Sequence, residues 1–132
     1  MSNTTNTPTQ ATREGRAVVF LNEQHTLLPS QEAALNARFE HWSIISVPAT
    51  GWTLDQMNVE LDHISLLSDV VFGSPIPYMI GRASSQAFRC AWGVFILHND
   101  KRCAKEIIDR ETGQTKVIHT LAADGWQLIK VA

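Results

Sequence analysis

The stretch Phe95-Ile96-Leu97-His98-Asn99-Asp100-Lys101-Arg102 decides the fold. An apolar run ends abruptly in polar and charged residues. Strands buried on both faces of a parallel sheet read as apolar runs, and in open α/β sheets the binding groups lie beyond their carboxyl ends. The same switch occurs three more times. Val18-Val19-Phe20-Leu21 runs into Asn22-Glu23-Gln24-His25, Ile44-Ile45-Ser46-Val47 into Pro48-Ala49-Thr50-Gly51-Trp52, and Val70-Val71-Phe72 into Gly73-Ser74-Pro75-Ile76-Pro77. Four parallel strands ending at Asn22, Pro48, Gly73 and His98 bring all four loops to one sheet edge.

Helical patterns separate the strands. Pro29 suits a first helical turn, where its missing N–H has no partner to lose. The helix it opens runs to Glu40, with Leu35 and Phe39 on one face. Thr53-Leu54-Asp55-Gln56 fits a capping box. Leu54, Met57, Leu61 and Ile64 then form one stripe. Pro75 and Pro77 open a third helix, with Ile76, Met79, Ile80, Ala83 and Ala87 on one side. The strands are expected at Ala17–Asn22, Trp42–Val47, Val70–Phe72 and Ala91–Leu97. Beyond Lys101 the pattern is β-rich. Ile107-Ile108 and Val117-Ile118 flank a hairpin turn at Asp109–Gln114, and Trp126–Val131 alternates as a further strand. The chain therefore reads as α/β, a three-layer Rossmann-like parallel sheet with a C-terminal β-hairpin or meander extension. Residues 15–132 form one domain. Residues 1–14, rich in Ser, Thr, Asn, Gln and Pro, read as a disordered tail.

Composition narrows the function classes. Hydrophobic residues are 44% of 132, as in ordinary globular proteins. The net charge of −2 gives no general grip on long nucleic acid. All four lysines lie after position 100, so the C-terminal third is locally basic. Two cysteines outside any C-x-x-C pair fit a reduced, cytoplasmic protein. No apolar run reaches the roughly 20 residues that span a bilayer. There is no G-x-G-x-x-G, no G-x-x-x-x-G-K-[ST] and no G-x-S-x-G, which argues against dinucleotide, P-loop and α/β-hydrolase chemistry. The five histidines show no H-x-x-x-H spacing, so neither a metal site nor a cofactor is expected.

The strand-end loops supply the candidate ligand-binding residues. Asn22, Glu23, Gln24 and His25 offer amides, a carboxylate and an imidazole. Thr50, Gly51 and Trp52 offer a hydroxyl, a close backbone approach and a stacking surface. Gly73, Ser74 and Pro75 stand where a helix begins, so free N–H groups there can face an anion. His98, Asn99, Asp100, Lys101 and Arg102 add an imidazole, an amide, a carboxylate and two cations. The set suits phosphates, ribose hydroxyls and stacked bases. Each group also has a purely structural reading: Trp52 as packing, Gly73–Pro75 as a helix-opening turn, Asn22–His25 as a solvated loop, Asn99-Asp100 as a turn.

A small Rossmann-like domain with loops such as Asn22–His25, Gly73–Pro77 and His98–Arg102 and a β-rich tail resembles the CRISPR-associated Rossmann-fold (CARF) proteins. In size it is most similar to the stand-alone ring nucleases of type III CRISPR systems, across residues 16–132. The resemblance implies a homodimer that binds cyclic oligoadenylate across its two-fold axis. It implies metal-independent cleavage in which a ribose 2′-hydroxyl attacks the neighbouring phosphorus, a reaction that needs orientation and charge stabilisation. The catalytic candidates on this reading are Lys101 and Arg102, which neutralise the phosphate, and His98 or His25, which move a proton. Two alternatives stand beside it: a non-catalytic cyclic-nucleotide sensor or sponge, and a nucleotide or sugar-phosphate hydrolase on a flavodoxin-like scaffold.

Overall fold

The structure, a computed structural model, describes residues 15–64 and 67–132. The segment 1–14, read as a tail, lies outside the described residues. The order is β1 (Arg16–Asn22), α1 (Pro29–Arg38), β2 (His41–Val47), α2 (Leu54–Asp62), β3 (Asp69–Phe72), α3 (Pro77–Cys90), β4 (Val94–His98), β5 (Arg102–Ile108), β6 (Thr115–Leu121) and β7 (Gln127–Lys130). The result is a mixed α/β fold with a mostly parallel five-stranded sheet and three helices, compatible with a Rossmann-like fold.

The sheet order is β2-β1-β3-β4-β7. β1 pairs in parallel with both β2 and β3, and β3 pairs in parallel with β4. The four apolar-to-polar switches therefore do meet on one edge. The chain leaves β1 towards β2 but leaves β3 towards β4. Crossovers of one hand then place α1 on one face of the sheet and α2 and α3 on the other. Two cores follow. Phe20, Phe72, Val70 and Val94 pack against Leu61, Ile64, Met79 and Ala83 from the α2–α3 side. Val19, Leu21, Val71 and Phe95 pack against Leu27, Leu35 and Phe39 on the α1 side. Phe20 and Phe72 stack 5.4 Å apart, and Phe39 meets Phe95 edge-on at 5.5 Å. The alternation of β1 splits it between the cores: Phe20 faces one and Val19 the other.

Several expectations need adjustment. β7 does not extend a C-terminal meander. It joins the main sheet antiparallel to β4, with Ile96 opposite Ile129 and Leu97 opposite Leu128. Its alternating pattern marks a half-exposed strand but not its partner. β5 and β6 pair with each other as a separate antiparallel ribbon, Arg102 opposite Leu121 through Ile108 opposite Thr115. Helix α1 stops at Arg38 because Phe39 turns to extended backbone. Leu54 is 56% exposed rather than part of the buried stripe. It opens α2 and sits a full turn before the residues that reach the sheet. α3 starts at Pro77, two residues later than Pro75. β4 starts at Val94 because Ala91, at φ 58°, adopts the left-handed cap that ends α3.

The starts of α1 and α2 follow the sequence. Pro29 occupies the first turn of α1, where Gln31 Oε1 accepts from Leu28 N at 2.8 Å. Thr53 Oγ1 accepts from Gln56 N at 3.2 Å at the start of α2, which is the Thr53 half of the expected capping box. The expected hairpin turn forms between β5 and β6: Asp109 N donates to Gln114 O, and Gly113 adopts φ +70°.

Candidate functional site

The strand order reverses between β1 and β3, and open α/β sheets offer a crevice at such a point. Here the crevice is laced with hydrogen bonds. Ser74, buried just past β3, accepts from Asn22 N at 3.0 Å through its Oγ, and His25 Nδ1 lies 3.3 Å from the same oxygen. Gly73 N and Ser74 N both donate to Phe20 O, at 2.8 and 3.2 Å. This corrects the expectation of free N–H groups at Gly73–Pro75. Those donors are spent on β1, Pro75 has no N–H, and the helix begins only at Pro77. Gly73 eases the close approach: a Cβ there would lie 3.1 Å from Leu21 Cδ1 and 3.3 Å from Phe20 O, so those neighbours would have to give by a few tenths of an ångström.

The neighbouring loops are tied in similar ways. Asn22 Oδ1 accepts from Gln24 N at 2.9 Å, and Glu23 Oε1 accepts from Ala49 N at 3.0 Å. Glu23 thus fixes the β2 loop to the β1 loop. Thr50 and Gly51 are exposed at the turn, with Gly51 at φ +82°. Trp52 takes its structural reading, since its ring meets Phe20 edge-on at 6.0 Å.

Beyond β4, Asn99 is buried, and its side chain is fully engaged. Its Nδ2 donates to Ala122 O at 3.0 Å and Asp124 O at 2.8 Å, while its Oδ1 accepts from Lys101 N at 3.0 Å. It staples the end of β4 to the loop between β6 and β7. Lys101 Nζ reaches the Asp124 carboxylate at 3.1 Å on the surface. Asp100 is exposed beside it. Arg102 donates from Nη1 to Asn99 O at 2.9 Å, leaving most of its five N–H groups available.

Two clefts open on this edge. One, of about 320 Å³, is lined by His98, Asn99 and Arg102 together with Phe72, Gly73, Pro75, Ile80, Ile96 and Leu97. The other, of about 430 Å³, is lined by Gln24, His25, Ser74, Leu21, Leu28 and Gln31. Gly73, Pro75, Leu121 and Trp126 border both. The two clefts are therefore arms of one trough, with an imidazole on each arm and a guanidinium on one. The structure brings together His98, Asn99, Arg102, Gly73 and Pro75 on the first arm, and Gln24, His25 and Ser74 on the second. Asn22, Glu23, Thr50, Gly51, Trp52, Asp100 and Lys101 line neither arm.

Sequence reasoning missed Trp126. Its indole N–H donates to Ala122 O at 3.1 Å, and its backbone N–H to Ser30 Oγ at 3.1 Å. The ring is held in place at the shared wall. The Asp124-Gly125 turn before it was a usable signal, because a tryptophan beside a turn is placed at a strand end. Among the described residues no group of three or more His, Cys, Asp or Glu side chains is arranged to hold a metal ion. No described helix is long and apolar enough to cross a membrane. No family model, no curated protein and no solved structure matches the chain.

Proposed function

We propose that the protein binds a cyclic oligoadenylate in the trough at the carboxyl edge of its sheet and opens the ring without a metal, through a ribose 2′-hydroxyl. The observation that carries this reading is that His98 and Arg102 border the same arm as the fixed indole of Trp126, while His25 stands on the other. An aromatic face suits a base, a guanidinium suits a phosphodiester, and imidazoles suit proton transfer near neutral pH. In the proposed step the 2′-oxygen forms a bond to the adjacent phosphorus as the P–O5′ bond breaks. One imidazole takes the 2′ proton, and the 5′-oxygen gains a proton as it leaves. Arg102 neutralises the charge that builds on the phosphoryl oxygens. A homodimer, with two troughs serving one ring, belongs to the same proposal.

The test is incubation with cyclic tri-, tetra- and hexa-adenylate, with and without a chelator, followed by chromatography. Linear products ending in a 2′,3′-cyclic phosphate, formed at the same rate with chelator, support the reading. No binding of any ring overturns it.

One observation favours the sensor alternative. The exposed His98 imidazole has no hydrogen-bond partner among the described residues, so nothing in the free protein orients it. Binding without cleavage is the outcome that selects this alternative. The strand order β2-β1-β3-β4 also agrees with a flavodoxin-like scaffold, and metal-dependent phosphate release from mononucleotides or sugar phosphates would select that reading.

A further inference from the structure

The two arms of the trough differ in charge. Arg102 lines the first, whereas no lysine, arginine, aspartate or glutamate lines the second. What the second arm offers instead is set by hydrogen bonds beneath it. Ser74 is 6% exposed, and its Oγ accepts from Asn22 N and makes one other bond, with His25 Nδ1 at 3.3 Å. A hydroxyl has one hydrogen to give, and a buried donor needs an acceptor. Among the described residues that acceptor is His25 Nδ1. The neutral imidazole therefore carries its hydrogen on Nε2. The loop that holds the ring is itself tied down: His25 N donates to Asn22 O at 2.9 Å, and Leu27 beyond it is buried. Gln31, 7% exposed, lines the same arm. Its Oε1 accepts from Leu28 N, and because that partner is a donor, the amide can face it only with its oxygen. Its Nε2, with two hydrogens to give, has no partner among the described residues. A buried amide donor that no described residue satisfies calls for an acceptor from outside the chain. Gln24 and Thr26, also on this arm, are exposed, so the fixed polar groups are these two donors.

We propose that the second arm is an uncharged, donor-only site for a non-reacting phosphodiester of the ring, held by the Nε2 hydrogens of His25 and Gln31, with Ser74 as the positioning residue that sets the tautomer of His25. Phosphoryl oxygens are acceptors only, so they match a wall that offers only hydrogens. Adenine matches it less well. Glutamine reads adenine by pairing its oxygen with N6 and its nitrogen with N7, and here the oxygen is already used. Neutral donors hold a phosphodiester without the charge neutralisation that the attacked phosphorus needs and that Arg102 supplies on the first arm. The same geometry assigns the proton. Nδ1 of His25 is occupied by Ser74 and Nε2 already bears hydrogen, so neutral His25 cannot take the 2′ proton, and His98 takes it. The phosphodiester named here rests on the ring reading above, whereas the donor pair stands on the hydrogen bonds alone.

The full chain with isotope-labelled histidine tests the donor pair without any nucleotide. Long-range proton–nitrogen NMR spectra at about pH 8, above the ordinary imidazole range, are expected to show His25 as a single Nε2–H tautomer. Ser74→Ala is expected to return it to the mixture of an unconstrained imidazole. Inorganic phosphate at millimolar concentration is expected to shift the His25 Nε2–H signal in the parent but not in Gln31→Glu, which keeps an oxygen for Leu28 N and replaces the donor by an acceptor. Gln31→Glu is also expected to weaken binding of cyclic tetra-adenylate by about tenfold to a hundredfold. Should Gln31→Glu not fold, the tautomer and the phosphate response of the parent, which need no variant, decide the matter. An Nδ1–H tautomer or no phosphate response in the parent, an equal response in Gln31→Glu, or a Gln31→Glu variant that binds the ring like the parent would each overturn the proposal. A phosphate response as expected, with no binding of any ring, would support the donor site and overturn only the ring reading.

Discussion

The guanidinium of Arg102 donates to the backbone carbonyl of Asn99 across 2.9 Å. The cation at the foot of the β5–β6 ribbon is thereby anchored to the residue whose buried amide holds the β6–β7 loop. Trough wall and structural staple share one corner, and the first two predictions separate them.

Asn99→Ala removes a side chain that makes three hydrogen bonds and leaves two carbonyls and one N–H to find other partners. The expected loss of stability is about 1–3 kcal/mol. A shift of the urea midpoint with unchanged slope checks it.

Arg102→Ala and Lys101→Ala are expected to differ. Arg102 borders the trough, and losing a charge-assisted hydrogen bond to an anionic ligand costs roughly 1.5–3 kcal/mol, about tenfold to a hundredfold in affinity. Lys101 lines neither arm and is paired with Asp124, so its removal leaves affinity within a few-fold. Titration calorimetry with cyclic tetra-adenylate measures both. Equal effects of the two variants would contradict this placement.

His98→Ala is expected to lower turnover of the ring by about 10²–10⁴-fold while affinity changes only a few-fold. His25→Ala changes a group 3.3 Å from Ser74 Oγ, so it is expected to loosen binding as well as turnover. Single-turnover rates together with equilibrium binding distinguish the two patterns.

Gly73→Ala places a methyl group against Leu21 Cδ1 and the Phe20 carbonyl, neither of which is free to move in a packed core. Overpacking of this kind costs typically about 1–3 kcal/mol. Thermal unfolding should show the loss, and the Asn22–Ser74 bond should weaken with it, seen as faster amide exchange at Asn22.

Asp109 at the ribbon turn accepts from Glu111 N at 2.9 Å and from Thr112 N at 3.4 Å, and lies 3.5 Å from Lys116 Nζ. Chiefly the bond from the Glu111 backbone, then that from Thr112, holds its carboxyl below the ordinary 3.8. The contribution of its ionised form to the turn is therefore complete above the unfolded-state value and is lost as pH falls through the lower folded value. A carboxyl NMR titration of Asp109 gives the value directly, and Asp109→Asn is expected to remove the loss of protection that the Glu111 amide shows, relative to its intrinsic exchange rate, as pH falls through the Asp109 titration.

The ends of β1, β3 and β4 were legible because an apolar run stops at Asn22, Gly73 and His98, and the end of β2, an edge strand with most residues exposed, because Pro48 follows its last apolar residue. The starts of α1 and α2 were legible because Pro29 and Thr53 act through local backbone chemistry. The partner of β7 was not legible, since alternation in Trp126–Val131 reports one buried face and not which strand supplies it. The split among the loop residues was equally hidden. Asn99 and His98 are adjacent polar residues, yet one is buried with its hydrogen bonds satisfied by distant carbonyls and the other faces the trough. Trp126 entered the trough through bonds to Ala122 and Ser30, the latter far away in sequence.

The turn at the far end of the β5–β6 ribbon closes on itself: Asp109 N donates to Gln114 O, Gly113 N to Asp109 O, and every residue of both strands is exposed. The two packed cores draw nothing from it. A short peptide tag or fluorophore spliced between Arg110 and Thr112 would therefore ride on the ribbon without disturbing the sheet. Arg102 and Leu121 at its root border the trough, so the far end of the ribbon offers an attachment point that touches neither core nor trough.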